Sequence, residues 1–187
     1  EFKLPLAGRH QVHNALAAAA AGHAMGASLE DIAAGLQDVQ VPGRRMKVQK
    51  LAGITVLDDA YNANPASVSA AMHTLASLPT SGRRIAALGD MLELGTTAAG
   101  LHAETGVEAA TLGLDLLVGA GPLMEQAVQA ARAAGIAAEA ALDSRAAGEL
   151  LVGYLRPGDV LLIKGSRGMK MEAVLEPLAA VAAAEGT

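Results

Sequence analysis

The chain has 187 residues, of which 52% are hydrophobic but only 2% aromatic; it carries a net charge of −5 and contains no cysteine. That length allows one large domain, or one domain and a piece of another, with a core of Leu, Val, Ile, Met and Ala in place of large rings. The composition excludes disulfides, thiolate metal sites and thiol nucleophiles. It also argues against nucleic acid as the main partner, and no apolar run approaches the about 20 residues of a membrane span.

Glu1-Phe2-Lys3 shows neither an initiator Met nor a secretory signal. Phe2, Leu4 and Leu6 alternate with Glu1, Lys3 and Pro5 as a strand does. A lone strand is not stable, so its partners are expected upstream, in a longer protein. Arg9 to Met25 reads as an Ala-rich helix closed by Gly26. Ser28-Leu29-Glu30-Asp31 resembles a capping box, starting a second helix through about Gln37. Val41-Pro42-Gly43 breaks regular structure and reads as a hinge between domains.

From Arg44 onward strands and helices alternate. Met46–Leu51 and Ile54–Leu57, joined by Ala52-Gly53, predict a hairpin. A helix over 65–78 follows, with Asn64 as N-cap and Pro65 at its first position. Strands are expected at Ile85–Leu88, Leu114–Val118, Ile136–Leu142 and Asp159–Lys164. Helices are expected at about 98–112, at 122–134 and 144–155, and from near Met169, with Pro177 kinking or dividing the last. Leu116-Leu117-Val118 and Val160-Leu161-Leu162-Ile163 are continuous apolar runs, the mark of strands buried on both faces. Together these predict an α/β fold with a doubly wound, mostly parallel sheet, its ligand crevice outside the carboxyl ends of the strands.

Three polar loops fall at that edge. The first, Leu57-Asp58-Asp59-Ala60-Tyr61-Asn62-Ala63-Asn64-Pro65, sets two carboxylates, a phenol and two amides between a strand and a helix start. Its bland alternative is a capped turn and nothing more. The second is Gly89-Asp90-Met91-Leu92-Glu93-Leu94-Gly95, where Gly permits close ligand approach and Asp90 either caps the turn or holds an amine. The third, Lys164-Gly165-Ser166-Arg167-Gly168, offers Arg as a fork and Lys as a point charge for a carboxylate or phosphate, against an ordinary glycine turn with solvated cations. Upstream, His10 and His13 have no third ligand nearby to suggest a metal, and Asn14 suits an adenine edge. Arg44 and Arg45 compete for an anion beside the hinge. His23, His73 and His102 read as helix-surface residues, with Ser69, His73 and Ser77 on one solvated face. Neither Gly-x-x-x-x-Gly-Lys-Ser/Thr nor Gly-x-Gly-x-x-Gly is present in a matching context, so the main phosphate cradle of any nucleotide chemistry lies elsewhere.

Five motifs occur in order: Leu6-x-Gly8-Arg9-His10-x-x-x-Asn14, Val41-Pro42-Gly43-Arg44, the 57–65 run, Gly89-Asp90-Met91-x-Glu93-Leu94-Gly95 and Lys164-Gly165-Ser166-Arg167. Together they resemble the Mur ligases of peptidoglycan synthesis over essentially the whole chain. Sister ligases that add the third peptide residue carry Asp-Tyr-Ala-His-x-Pro and Lys-Gly-His-Glu at the corresponding places. Asn-Ala-Asn-Pro and Lys-Gly-Ser-Arg favour the branch that adds D-alanyl-D-alanine.

The resemblance implies that residues 1–41 are the tail of a central ATP-binding domain and 42–187 a Rossmann-like carboxyl-terminal domain. It implies an ATP-dependent amide ligase acting on UDP-N-acetylmuramoyl-tripeptide and D-Ala-D-Ala through an acyl phosphate, with Mg²⁺ ligands upstream of this chain. By position, Asn14 would contact adenine, His10 the nucleotide, Arg44 the ATP phosphates after domain closure, and Asp59 the ribose. Asn62 and Asn64 would border nucleotide or dipeptide. Lys164, Ser166 and Arg167 would take the dipeptide carboxylate, and Asp90 would join the substrate site; Arg44 and Lys164 are the candidate catalytic cations. Gln11 departs from the Asn that often follows His10 in the family. A monomeric, cytoplasmic enzyme with no nucleic-acid or membrane partner is expected, and the chain alone is expected to be inactive. The alternatives are another Mur-type or folylpolyglutamate-type amino acid ligase, or a non-catalytic doubly wound binding module.

Overall fold

Residues 4–5, 9–39 and 45–185 are described by the computed structural model, and the chain divides into two units, Glu1–Gly43 and Arg44–Thr187. The first unit holds helices α1 (Arg9–Ala24) and α2 (Leu29–Gln37). Gly26, at φ +91°, supplies the left-handed residue that closes α1. Ser28 caps α2: its Oγ accepts from the Asp31 N–H at 3.1 Å and donates to Asp31 Oδ2 at 2.7 Å. The strand expected over Phe2–Leu6 is not formed at its described residues, Leu4 and Pro5. The rest of it lies outside the described residues, as does the hinge at Val41-Pro42-Gly43.

The second unit runs β1 (Lys47–Leu51), β2 (Ile54–Asp59), α3 (Pro65–Ser77), β3 (Arg84–Gly89), α4 (Ala98–Thr111), β4 (Leu116–Ala120), α5 (Met124–Ala133), β5 (Ala137–Ala141), α6 (Ser144–Tyr154), β6 (Val160–Lys164) and α7 (Leu175–Glu185). Its six-stranded sheet has the order β1-β2-β6-β3-β4-β5. Only β1 is antiparallel, tied to β2 by a two-residue turn in which Ala52 (φ +46°) and Gly53 (φ +78°) both take positive φ. That turn matches the twist of a hairpin. The last strand, β6, inserts between β2 and β3 in parallel with both; every one of its five residues is buried.

Alternation along the strands divides the core into two layers. Ile54, Val56, Ile85, Ala87, Leu116, Val118, Leu161 and Ile163 pack with Ala147 and Leu151 of α6, Met171 and Val174 of the turn before α7, and Leu178 of α7. The opposite residues, Leu57, Ala86, Leu88, Leu117 and Leu162, are also buried. They face the side reached by right-handed crossovers through α3, α4 and α5, whose inward stripes include Val68, Met72, Leu75, Ala109, Ala127 and Val128. With 2% of its residues aromatic, the chain builds this core by close backbone approach. A Cβ on Gly106 of α4 would lie 2.0 Å from the Ala127 carbonyl oxygen of α5, and one on Gly148 of α6 would lie 2.5 Å from the Val174 carbonyl oxygen.

Two expectations need correction. Strand β2 continues through Asp58 and Asp59, which the sequence reading left in a loop, because β6 pairs with it as far as Asp59↔Lys164. The final helix begins at Leu175, not near Met169, after two 3-10 turns, Arg167–Met169 and Met171–Val174. Pro177 falls in the first turn of α7, where its missing N–H forfeits no helical bond, and α7 runs unbroken to Glu185.

At the amino end of β6, buried Asp159 joins three chain segments. Its Oδ1 accepts from the Arg83 N–H at 2.8 Å, and its Oδ2 accepts from Arg83 Nη2 at 2.7 Å and the Arg156 N–H at 2.9 Å. Burial alone would raise the Asp159 pKa, but the hydrogen bonds and charge of Arg83, with the Arg156 amide, carry it below the ordinary aspartate value.

Two outcomes follow from this packing. Gly106→Ala is expected to lower stability by about 1–3 kcal/mol through overpacking. Gly100→Ala, on the same helix with nothing near its Cβ, should raise it by about 0.5–1 kcal/mol; urea unfolding measures both. Because the folded Asp159 pKa is lowered, its contribution is complete above the ordinary aspartate range and is lost as pH falls below about 4. Thermal melts from pH 7 to 2.5 should show that loss, and Asp159→Asn should reduce stability at pH 7 while flattening the acid limb.

Candidate functional site

Strand β6 is followed by a chain that turns toward the α6–α7 layer, whereas its neighbours β2 and β3 lead into α3 and α4 on the other. The carboxyl edge therefore parts on both sides of β6, the topological position at which open α/β sheets take ligands. The loops after β2, β3 and β6 meet there.

Lys164 is the centre of this edge. It is the register partner of Asp59 on one side and of Leu88 on the other, and is only 3% exposed. Its Nζ donates to Asp59 Oδ2 at 2.6 Å and to the Asn62 carbonyl at 2.8 Å. Asp59 Oδ1 accepts from the Met46 N–H at 2.9 Å, in a residue at φ +53°. Asp58, buried one residue earlier, accepts from the Ala60 N–H at 3.3 Å. The Asn62 side chain is exposed. Asn64 is the N-cap of α3 in a reciprocal box, its Oδ1 accepting from the Ser67 N–H at 2.8 Å while Ser67 Oγ accepts from the Asn64 N–H at 3.0 Å.

Two residues beyond Lys164, buried Ser166 makes a second set of ties. Its N–H donates to the Asp90 carbonyl at 3.1 Å. Its Oγ accepts from the Leu92 N–H at 2.9 Å and donates to the Ala63 carbonyl at 3.4 Å. This closeness depends on small residues: a Cβ on Gly165 would lie 2.5 Å from Met171, and one on Gly89 would lie 2.6 Å from it. Arg167, whose side chain is 65% exposed, pairs with Glu172 at 3.0 Å.

Asp90 and His102 act inside the protein. The Asp90 carboxylate is buried against Gly121, and its Oδ1 accepts from the Met124 N–H at the start of α5, at 2.8 Å. The sequence offers Asp90 as a cap of its own turn or an amine ligand; its carboxylate reaches instead to the first amide of a helix 34 residues on. His102, read from sequence as a surface residue, is fully buried. Its Nε2 accepts from the Met91 N–H at 2.9 Å and its Nδ1 lies 2.7 Å from the Ala98 carbonyl, so the ring is the neutral tautomer with the proton on Nδ1. It was missed because what it holds is a backbone amide. Of the expected solvated face, His73 is exposed, but Ser69 is half-buried and bonds to Glu108.

The sequence reading also passed over the Arg45–Tyr61 pair, a guanidinium 4.2 Å from the ring centroid on exposed side chains beside the Asp59 loop. In the first unit Asn14 is exposed on α1, and its Nδ2 donates to Gln11 Oε1 at 3.2 Å. Arg44 and the side chain of His10 lie outside the described residues. Asp58, Asp59 and Asp90 each already accept N–H donors, and no three His, Asp or Glu among the described residues form a metal-binding group. No helix among the described residues is long and apolar enough to cross a membrane.

The fold and edge define a doubly wound α/β domain whose polar loops after β2, β3 and β6 meet around one buried cation. Residues 44–167 match the family model described as Mur ligase, glutamate ligase domain, and the chain belongs to the Mur ligase family. It is 39% identical over 178 residues to the UDP-N-acetylmuramoyl-tripeptide–D-alanyl-D-alanine ligase of Escherichia coli, covering 94% of this chain and 38% of that protein. It is 34% identical over 190 residues to the Bacillus subtilis protein of the same name, covering 95% and 39%. Among solved structures, MurF from Acinetobacter baumannii superposes with a TM-score of 0.85 at 33% identity, over 96% of this chain and 39% of that one. MurF from Thermotoga maritima in complex with ADP shares the fold, with a TM-score of 0.80 at 24% identity over 96% of this chain and 40% of its own. The chain thus spans less than half the length of the relatives it matches.

If the Asp90 carboxylate is a cap, Asp90→Ala leaves a buried helix-terminal N–H unpaired and should cost about 1–3 kcal/mol. Denaturant unfolding reads this directly; an unchanged midpoint would return Asp90 to the ligand groups.

Proposed function

We propose that this chain supplies the carboxyl-terminal domain, residues 42–187, and the tail of the ATP-binding domain, residues 1–41, of an ATP-dependent amide ligase. The reaction joins D-Ala-D-Ala to UDP-N-acetylmuramoyl-tripeptide. The observation that carries this reading is the convergence of the loops after β2, β3 and β6 on one edge, braced by Lys164 and Ser166. Relatives bearing that activity in their names support the choice of amine.

The chemistry sets the demands. A carboxylate is a poor acyl donor until one oxygen becomes a phosphate leaving group. The terminal carboxylate of the tripeptide takes the γ-phosphoryl group of ATP, releasing ADP. The dipeptide amine then attacks the acyl carbon and phosphate leaves from the tetrahedral intermediate. An activated acyl group must be kept from water, and its developing charge needs fixed cations.

In this reading Asn14 meets adenine, His10 lies near the nucleotide and Arg44 serves the phosphates. Asp59 accepts a ribose hydroxyl on lone pairs that its N–H donors leave available. Asn62 and Asn64 border the nucleotide or dipeptide. Arg167, the accessible cation of its loop, meets the dipeptide carboxylate as a fork. Any Mg²⁺ would be held by parts of the ligase beyond this chain. The same reading makes the enzyme cytoplasmic and monomeric, without nucleic-acid or membrane partners.

The test is phosphate release by the full ligase that carries this segment, with ATP, UDP-tripeptide and a panel of amines. D-Ala-D-Ala is expected to be the preferred acceptor and the isolated 187-residue chain to show no turnover. Preference for glutamate or another single amino acid would reassign the acceptor, and turnover by the isolated chain would contradict the domain assignment. Arg167→Ala should raise the dipeptide KM about tenfold or more, the loss of a charge-assisted contact.

A further inference from the structure

We propose that Lys164 and Ser166 are positioning residues: neither touches substrate, and together they join the three loops of the carboxyl edge into one body. The proposal rests on the ligase reading and replaces the direct dipeptide contact that family resemblance implied for these two side chains.

The geometry carries it. Lys164 ends a strand buried along its whole length and spends two of its three N–H donors on Asp59 Oδ2 and the Asn62 carbonyl. Asp59 is in turn tied to Met46, so one ammonium fixes both the chain entering β1 and the loop leaving β2. A substrate carboxylate that took Lys164 would leave Asp59, whose side chain is 14% exposed, without its cation; breaking such a pair is strongly unfavourable.

Ser166 is equally committed. Its single O–H donor faces the Ala63 carbonyl and its oxygen receives the Leu92 N–H. It thus joins the Asp59–Asn64 loop to the Gly89–Gly95 loop. Lys164 and Ser166 lie two residues apart, and Gly165 between them is held against Met171 and Gly89, where a Cβ would lie 2.5 Å from the Met171 side chain and 3.0 Å from the Gly89 Cα. A shift in one loop is therefore passed to the other through three consecutive residues with no slack. Nucleotide-side and amine-side contacts keep one geometry, as the near-attack alignment of amine and acyl phosphate requires.

Amide hydrogen exchange on this chain and kinetics on the full ligase test the proposal separately. Lys164→Met should raise exchange at the Met46 amide about tenfold or more, as local opening replaces a bonded amide. Ser166→Ala should do the same at Leu92, and Ser166→Thr, which keeps the hydroxyl, should restore protection there. If Lys164→Met does not fold, Lys164→Met with Asp59→Asn removes both charges and is read in the same way.

In the full ligase, Lys164→Met should lower kcat and raise the ATP KM together, about 100-fold in kcat/KM for the misplacement. Unchanged exchange with a rise confined to the dipeptide KM would overturn the proposal in favour of direct contact. The exchange arm needs no turnover, so a ligase that rejects D-Ala-D-Ala would sink the functional reading while leaving this result standing.

Discussion

The buried ammonium of Lys164 against Asp59, at 2.6 Å between register partners on adjacent parallel strands, is the constraint on which the carboxyl edge depends. Taking both charges out of water costs several kcal/mol per ion, and only good geometry with further hydrogen bonds offsets it. Both conditions are met: the Asn62 carbonyl completes the lysine's surroundings and the Met46 amide completes the aspartate's. Such a pair does little for net stability, since an apolar pair of similar volume would hold the strands as well. It sets where β2 stops, where the next loop turns, and how the chain before β1 lies on that loop.

The other half of the arrangement is absence of bulk. Gly89 ends β3, Gly165 follows β6, and Met171 packs where either Cβ would be. Gly121, at φ +106°, lets the backbone pass over the Asp90 carboxylate. These approaches let a few side chains, Lys164, Ser166, Asp59 and Asp90, reach backbone amides and carbonyls of neighbouring segments. The sequence offers Asp58, Asp59 and Asp90 as polar loop groups beside a ligand and His102 as a helix-surface residue. In three dimensions each is first an acceptor for an N–H that burial would otherwise strand.

The two ends of the sheet also differ in kind. At the amino end, Asp159 gathers Arg83 and Arg156 and serves stability. At the carboxyl end, accessible polar groups remain beside the braced core: the Arg45–Tyr61 pair, the Asn62 side chain and Arg167. The division leaves a closed network at one end of the sheet and open polar groups at the other, the edge where sheets of this topology take ligands.

By itself the sequence determined the order and type of the elements in the second unit, the hairpin at Ala52-Gly53, the caps at Ser28 and Asn64, and the edge at which the polar loops meet. Those features follow from local signals: apolar periodicity, turn residues and capping side chains within a few positions of each other. Only the tertiary structure decided that β6 lies between β2 and β3, that Lys164 is a brace and not a free cation, that His102 is buried and that Asp90 holds α5. Most of these depend on a partner distant in sequence, and all but the strand order involve a backbone amide or carbonyl. Every residue carries the same backbone groups, so no side-chain pattern along the chain marks which of them a fold will leave needing an acceptor.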